Sequence, residues 1–207
     1  LTTLKRYKDG KKSLDTRIVD NNEWYRMRHW KQMSRGAETG TPEPASAWLF
    51  NSLANKHADA MDNSPEPNVL PNEPNDGQEA QKLSKIIPVV LEQNDFEAAY
   101  SKMWWSKLES GTGAYGVFWD SRKLNGLGDI DIASVDILNL FWEPGITDLQ
   151  KSRNLFCVEL VDNDLLERAY PQLKGKLGGT TIDVSKYIYD DTVDTSDKSY
   201  VIDWYYK

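Results

Sequence analysis

One stretch, residues 94–120, constrains the fold of this chain more than any other. Its first part, NDFEAAYSKMWWSKLES, carries apolar side chains at helical spacing, which predicts a helix with one apolar stripe. Because glycine adopts φ > 0 without steric cost, Gly111 and Gly113 predict that the helix ends there. The next residues, 115–119, are aromatic and β-branched, as is typical of a strand. The sequence therefore predicts a long helix joined directly to a strand, against which the rest of the chain packs.

The N-terminal residues predict helices that surround a proline-rich break. Residues 1–12 are basic and poor in apolar side chains, so we expect no regular structure there. Helical spacing predicts helices over residues 13–33 and 45–61. Residues 63–76 contain four prolines, which suit neither a helix interior nor a central strand. We therefore expect an irregular, mobile loop over residues 63–76.

Two helices in tandem are predicted between this loop and the glycines. A wide apolar stripe begins near residue 76, and Pro88 lies inside it, where it should kink or end the helix. Asn94 and Glu97 stand three residues apart, which is the spacing of a capping box at the start of the next helix. Residues 77–110 should accordingly form one helix before Asn94 and a second helix after it.

The C-terminal half is predicted to be mostly strand. Residues 130–142, 155–161 and 201–206 carry strand-like sequence, and residues 163–173 predict one late helix. The fold class is therefore α+β, with N-terminal helices and a long helix packed on a mainly antiparallel sheet. We expect two parts: a basic helical arm with the proline-rich loop over residues 1–76, and an α+β core over residues 77–207.

The charge of the chain is unevenly distributed. The net charge is −7, but residues 1–36 contain ten Lys and Arg against four Asp and Glu, so they carry +6 and the remainder carries −13. A basic arm on an acidic body is compatible with binding nucleic acid, with docking on an acidic neighbour, or with a solvated helix. Contacts to phosphate would be weak and independent of sequence. The candidates for such contacts are Lys5, Arg6, Lys8, Lys11, Lys12 and Arg17.

Catalytic, cofactor and metal sites are not predicted anywhere in the chain. His29 and His57 are the only histidines, and neither lies in a cluster of the kind that zinc or iron requires. Residues 111–116, GTGAYG, lack the Lys-Ser/Thr pair of a phosphate-binding loop, and they follow a helix, whereas a dinucleotide fingerprint follows a strand. The single Cys157 excludes an internal disulfide, indicates a reducing compartment and is predicted to be a small core residue. We expect that the protein is not an enzyme.

The aromatic content is the one unusual feature of the composition. The chain has eight Trp and ten Tyr, more than a core of this size needs. Trp104 and Trp105 are adjacent on the predicted helix and project about 100° apart, so only one of them can point straight at the core. Tryptophan and tyrosine are frequent anchors of protein contacts, although they also stack on sugars and unstacked bases. The candidates for an interface are Trp24, Tyr25, Trp104 and Trp105.

Several segments, taken in chain order, match a pattern seen in one protein family. They are NEWY at residues 22–25 within a basic helix, the helix at 44–61 after a proline-containing stretch, the helix–glycine–strand stretch at 94–120, the strand and turn SVDILNLFWEPG at 134–145, and the closing strand VIDWYYK at 201–207. Over residues 20–207 the chain thus resembles the portal proteins of tailed bacteriophages, which connect head and tail. One departure is Glu143-Pro144, where many members have Asp-Pro.

The resemblance implies a structural role in a virion. Portal subunits form a ring, usually a dodecamer, at one vertex of the capsid, after assembly in the host cytoplasm. DNA enters and leaves through the ring without tight binding, and the expected partners are terminase, capsid, scaffold and head-completion proteins. The chain would be the N-terminal wing region of a longer protein, with no catalytic site, no cofactor and no membrane partner.

Two other classes of function stay open on the sequence alone. The tryptophans and acidic residues are compatible with a carbohydrate-binding or carbohydrate-active module, which would need two carboxylates facing each other across an aromatic cleft. The basic arm is compatible with a nucleic-acid-binding module, which would need arm cations and exposed aromatic rings on one surface.

Overall fold

The computed structural model describes residues 1–30, 42, 44–63, 65–177 and 196–207. In this part of the chain four helices precede a region of antiparallel strands with two short helices, so the predicted α+β class is confirmed. The helices are α1 (Thr2–Tyr25), α2 (Trp48–Met61), α3 (Gly77–Gln93), α4 (Phe96–Ser110), α5 (Lys123–Gly126) and α6 (Asn163–Ala169). The strands are β1 (Ala114–Asp120), β2 (Asp129–Val135), β3 (Leu140–Trp142), β4 (Asn154–Asp162) and β5 (Lys198–Tyr206).

The chain divides into two compact units. The first unit combines residues Leu1–Glu23 with Asp136–Lys207, and the second unit is Trp24–Val135. The predicted boundary between residues 76 and 77 falls inside the second unit. Whether residues 77–207 fold as a domain of their own stays a prediction.

In the first unit, α1 packs on one face of an antiparallel sheet with the strand order β3-β4-β5. Leu4 and Tyr7 of α1 are buried against Phe141, Phe156 and Val158, and the Tyr7 and Phe156 rings meet edge to face at 5.8 Å. Fully burying side chains of this size contributes about 1.5–3 kcal/mol each. This cluster holds α1 on the sheet.

The expectation that residues 1–12 lack regular structure is wrong, because α1 begins at Thr2. From Leu4 to Ile18, the buried residues of this helix recur three or four positions apart, which places them on one face. That face contains two charged residues, Lys11 and Asp15, and their presence hid its periodicity in the sequence. Packing on the sheet therefore stabilises the first half of α1, which the sequence alone does not predict. The single helix predicted over residues 13–33 is also wrong at its end, because α1 stops at Tyr25 and residues 26–28 are not helical. Residues 31–33 lie outside the described residues.

In the second unit, α4 contacts α2, α3 and both strands of the β1-β2 sheet. The sequence predicted that other parts of the chain pack against residues 94–120, and within this unit they do. The tandem helices α3 and α4 and the strand β1 are confirmed. Gly111 ends α4 with φ +80°, which confirms the expected left-handed glycine. Its conformation turns the chain from the helix into the strand.

The predicted capping box at Asn94 is wrong. The residue that precedes α4 is Asp95, with φ +48°, and its side chain makes no capping hydrogen bond. Asn94 instead closes α3, because its side-chain amide donates to the Val90 carbonyl at 2.8 Å. Pro88 does not end α3, which continues to Gln93.

The remaining boundaries follow the sequence with local changes. The described residues of the proline-rich stretch, 63 and 65–76, contain neither helix nor strand, so the predicted irregular loop is confirmed for them. Residues Ile137–Asn139 form a 3₁₀ turn where strand was predicted, because the Asp136 carboxylate accepts from the Leu138 amide. The late helix ends at Ala169, before Pro171.

Candidate assembly surfaces

The helix α1 is anchored in the first unit by a buried ion pair. Lys11 Nζ lies 2.9 Å from Asp15 Oδ1 and 4.6 Å from the centre of the Phe141 ring, and it donates to the Ile137 carbonyl. Burial lowers the pKa of Lys11 and raises the pKa of Asp15. Because Lys11 is buried and engaged, it is not available to a phosphate, and we exclude it from the predicted phosphate contacts.

The other basic side chains of α1 lie on its solvent side. Lys8 is half-buried, and the remaining four are exposed. Lys5 and Lys12 lie two helical turns apart on the same side, about 10 Å along the axis. We call the exposed set, Lys5, Arg6, Lys12 and Arg17, the basic face.

Two of the four predicted interface aromatics belong to an internal cluster of the second unit. The Tyr25 ring meets the Trp105 ring edge to face at 6.1 Å and the Phe50 ring at 5.7 Å. His57 stacks on Trp105 at 4.5 Å, and its Nε2 lies 3.1 Å from the Ser101 hydroxyl. These contacts join the end of α1 to α2 and α4. The second histidine of the chain, His29, stacks on Trp24.

The other two predicted aromatics lie apart from that cluster. Trp24 is 42% exposed and stacks on His29 at 5.4 Å. Trp104 is half-buried between Tyr100, at 6.2 Å, and the ammonium of Lys107, at 3.9 Å from the ring centre. The prediction that one of the adjacent tryptophans is partly exposed is confirmed, since both are half-buried. An interface role for Trp24, Tyr25, Trp104 and Trp105 stays a prediction.

A more exposed apolar surface lies on β1, and the sequence reasoning missed it. Tyr115, Val117 and Trp119 alternate along the strand and are 49%, 63% and 65% exposed. They are paired with Ser134, Ile132 and Ile130 of β2, so these residues share one face of the sheet. A solvated sheet face normally carries polar residues, so this exposed apolar face is a candidate contact surface. The alternation of bulky residues in AYGVFWD was the available signal.

A small groove opens at the corner between α3 and α4. Its apolar lining comes from Pro65, Leu91, Phe96 and Tyr100, and it encloses about 280 Å³. Three carboxylates complete it, and we call the whole set the acid-rimmed groove. The three are Glu92, Asp95 and Glu97. The sequence reasoning missed this groove too, because it assigned residues 94–97 to a helix cap.

The described residues offer little that could carry catalysis. Among them, no group of three His, Cys, Asp or Glu side chains is placed to hold a metal ion. Burial and the nearby Asp203 and Glu159 carboxylates raise the pKa of the half-buried Cys157 to about 11, so little thiolate forms near neutral pH. Every helix of the described chain is too short or too polar to cross a lipid bilayer.

Comparison with known proteins identifies the family. A family model described as phage P22-like portal protein matches residues 58–207, which is more than two thirds of the chain. No curated protein matches the chain. The match begins in α2 and includes the acid-rimmed groove, the β1-β2 sheet and the C-terminal strands. The chain therefore belongs to the phage P22-like portal protein family, whose members are structural components of the virion.

Proposed function

We propose that this chain is a subunit of the ring through which a phage packages and ejects its DNA. The observation that carries the proposal is the match of residues 58–207 to the P22-like portal family. The exposed apolar face of β1 supports it, because a subunit of a closed ring must present surfaces that only its neighbours cover. In this role the ring also provides docking surfaces for terminase, capsid, scaffold and head-completion proteins.

The oligomeric state tests this proposal. We expect the full-length protein to form a closed cyclic oligomer with head-to-tail interfaces, most simply a dodecamer. Multi-angle light scattering at micromolar concentration should give a mass that is a large multiple of the subunit mass. A full-length monomer at that concentration would contradict the portal role.

A passive DNA channel is the second part of the proposal. Residues 37–207 carry −13, so duplex DNA that passes this body meets like charge. Any affinity should come from the basic face of α1 and should involve phosphates only. Removing residues 1–17 would also remove Leu4 and Tyr7 from the core of the first unit, so neutralising the charges is the better variant.

Fluorescence anisotropy distinguishes a channel from a DNA-binding module. We expect weak binding to two unrelated duplexes at about 50 mM salt and its loss at about 200 mM, the range over which phosphate contacts fade. Replacing the four residues of the basic face with glutamine should abolish that binding, whereas Lys174→Gln with Lys176→Gln should not. Preference for one duplex, or tight binding at the higher salt concentration, would favour the nucleic-acid-binding module.

The carbohydrate alternative has less support. Trp105 and Trp104 are engaged with neighbouring side chains, so neither forms an open stacking platform. The acid-rimmed groove combines carboxylates with aromatic rings, but at about 280 Å³ it lies at the lower end of the size range of ligand pockets. The exposed rings on β1 suit either class, so the family match of residues 58–207 is what favours the ring subunit over a sugar-binding module.

A further inference from the structure

We propose that the basic face of α1 in one copy docks on the acid-rimmed groove of the neighbouring copy. The inference rests on the proposed ring, and it names one contact that would close that ring. The inference is based on charge complementarity between two surfaces of the same chain. The basic face of α1 is positively charged, and the acid-rimmed groove is negatively charged and has an apolar and aromatic lining.

The groove has the chemistry that a lysine or arginine side chain requires. Phe96 and Tyr100 provide aromatic rings for a cation, while Pro65 and Leu91 provide apolar surface for the methylene stem. The carboxylates at the rim pair with the charged head. A volume of about 280 Å³ is small for an organic ligand and has room for an inserted side chain.

The three carboxylates of the groove are free to accept such a partner. Within the described residues, no ion pair involves Glu92, Asp95 or Glu97. Asp95 stands at the N-cap position of α4 with φ +48°, and its side chain does not cap the helix. Aspartate tolerates this left-handed conformation better than most residues do. Among the described residues, the Asp95 carboxylate next to the cavity thus has no ion-pair partner and caps no helix.

The basic face is the complementary surface. The side chains of Lys5, Lys12 and Arg17 make no ion pair within the described residues, and Arg6 lies 5.5 Å from the centre of the Tyr7 ring. The buried side of α1 fixes the helix on its sheet, so these cations are held on a rigid element. Preorganised cations lose less conformational freedom on binding than cations on a mobile arm do.

A second copy is a better occupant than DNA for two reasons. A duplex offers the basic face phosphates alone, whereas the groove of a second copy adds two aromatic rings to its three carboxylates. A head-to-tail ring, in contrast, joins two different surfaces of identical copies, so a chain with one basic and one acidic surface meets its own complement. Opposite charges on these surfaces would also orient the copies before contact.

Charge reversal on each surface tests the contact. The first variant of the full-length protein carries Lys5→Glu with Lys12→Glu, and the second carries Glu92→Lys with Glu97→Lys. Since opposed like charges cost several kcal/mol, we expect each variant alone to need at least a tenfold higher concentration for half-assembly, measured by sedimentation velocity at about 0.1 M salt. An equal mixture of the two variants should assemble at the wild-type concentration, because each reversed helix then meets a reversed groove.

The mixture makes the test specific to a contact between copies, since a contact within one chain would not be restored by mixing. Lys174→Glu with Lys176→Glu is the matched control, because both lysines are exposed, and it should assemble like the wild type. Thermal unfolding should show that all variants are folded.

Three results would overturn the inference. If the reversed variants form rings at the wild-type concentration, the contact is absent while the proposed ring stands. If they lose assembly and mixing does not restore it, the charges act elsewhere. If Lys5→Glu with Lys12→Glu weakens DNA binding and leaves assembly unchanged, the basic face serves DNA. A wild-type protein that forms no ring would instead refute the proposed function, and this inference with it.

Discussion

The ion pair between Lys11 and Asp15 offers the sharpest test of how α1 is held. Both side chains are at most 5% exposed, and Lys11 also donates to the Ile137 carbonyl of the same unit. We consider three variants: Asp15→Leu, Lys11→Met, and the two together. Asp15→Leu leaves the Lys11 ammonium without its carboxylate, and Lys11→Met leaves the Asp15 carboxylate without its ammonium. The double replacement removes both charges from the interior.

The magnitudes follow from the cost of a buried charge. Removing one partner of a buried pair typically destabilises a protein by about 3–5 kcal/mol, because the other charge stays buried without compensation. The double replacement removes one of two donors to the Ile137 carbonyl, which still accepts from the Leu140 amide. The lost hydrogen bond costs about 0.5–1.5 kcal/mol, and the added apolar burial offsets part of that cost. We therefore expect each single variant to lose about 3–5 kcal/mol and the double variant to lie within about 2 kcal/mol of the wild type.

The pKa shifts point in the same direction. The pKa of Asp15 is raised on folding, so its contribution to stability is fully present below the unfolded pKa and is lost as the pH rises through the folded value. The pKa of Lys11 is lowered, so its contribution is present above the unfolded pKa and is lost as the pH falls through the folded value. In both cases burial disfavours the charged form of the side chain, and the double variant avoids that cost.

Urea unfolding followed by circular dichroism measures these differences. The exposed pair Arg168–Asp164 on α6, with an N–O distance of 3.8 Å, serves as the control, and its disruption should cost at most about 1 kcal/mol. If Asp15→Leu costs no more than this control, the pair is not buried and α1 does not pack as described. If the double variant is as unstable as the sum of the singles, the two charges do not act as a pair.

Three further predictions concern single positions. Gly111→Val should destabilise the protein by roughly 1–3 kcal/mol, because φ +80° strains a β-branched residue; an unchanged midpoint in urea would contradict this. Gly10→Ala should destabilise the protein by about 1–3 kcal/mol, because the new β-carbon would lie 2.7 Å from Pro144 Cγ. In an ordinary helix the same change stabilises the protein by roughly 0.5–1 kcal/mol. A stabilisation of that size would mean that α1 does not approach Pro144. Cys157 is half-buried, so its predicted core position is wrong, but its pKa is raised to about 11. It should react slowly with iodoacetamide at pH 8 and quickly in urea, and fast labelling of the folded protein would contradict the raised pKa.

The sequence predicted the parts of the fold that local signals determine. Residues 94–120 were correctly interpreted as a helix, a glycine turn and a strand, because spacing, glycine and β-branched residues agree within one stretch. Four prolines were sufficient to predict the irregular loop. The α+β class was predicted from the order of the elements, because helices come first and strands dominate after residue 113.

The misses share a physical cause, which is dependence on distant residues. Residues 1–12 look unstructured until Leu4 and Tyr7 meet Phe141 and Phe156, more than 130 positions away. Lys11 looked like an exposed cation because nothing nearby in sequence indicates that Ile137 and Phe141 surround it. Tertiary packing overrode local propensity in each case.

The candidate surfaces were predicted less well than the fold. Trp24, Tyr25, Trp104 and Trp105 were grouped because aromatic residues favour interfaces, yet Tyr25 and Trp105 contact each other inside the second unit. The acid-rimmed groove joins residues from the proline-rich loop with both sides of the α3–α4 corner, so no single sequence window contains it. Its carboxylates were indistinguishable in the sequence from those of an ordinary solvated surface.

Electron microscopy of the purified full-length protein tests the central claim most directly. In negative stain, a portal subunit should give uniform closed rings with a central opening wide enough for duplex DNA, and class averages viewed down the axis should show cyclic symmetry. Isolated globular particles, or open chains of varying length, would contradict the proposal that this chain forms the portal ring.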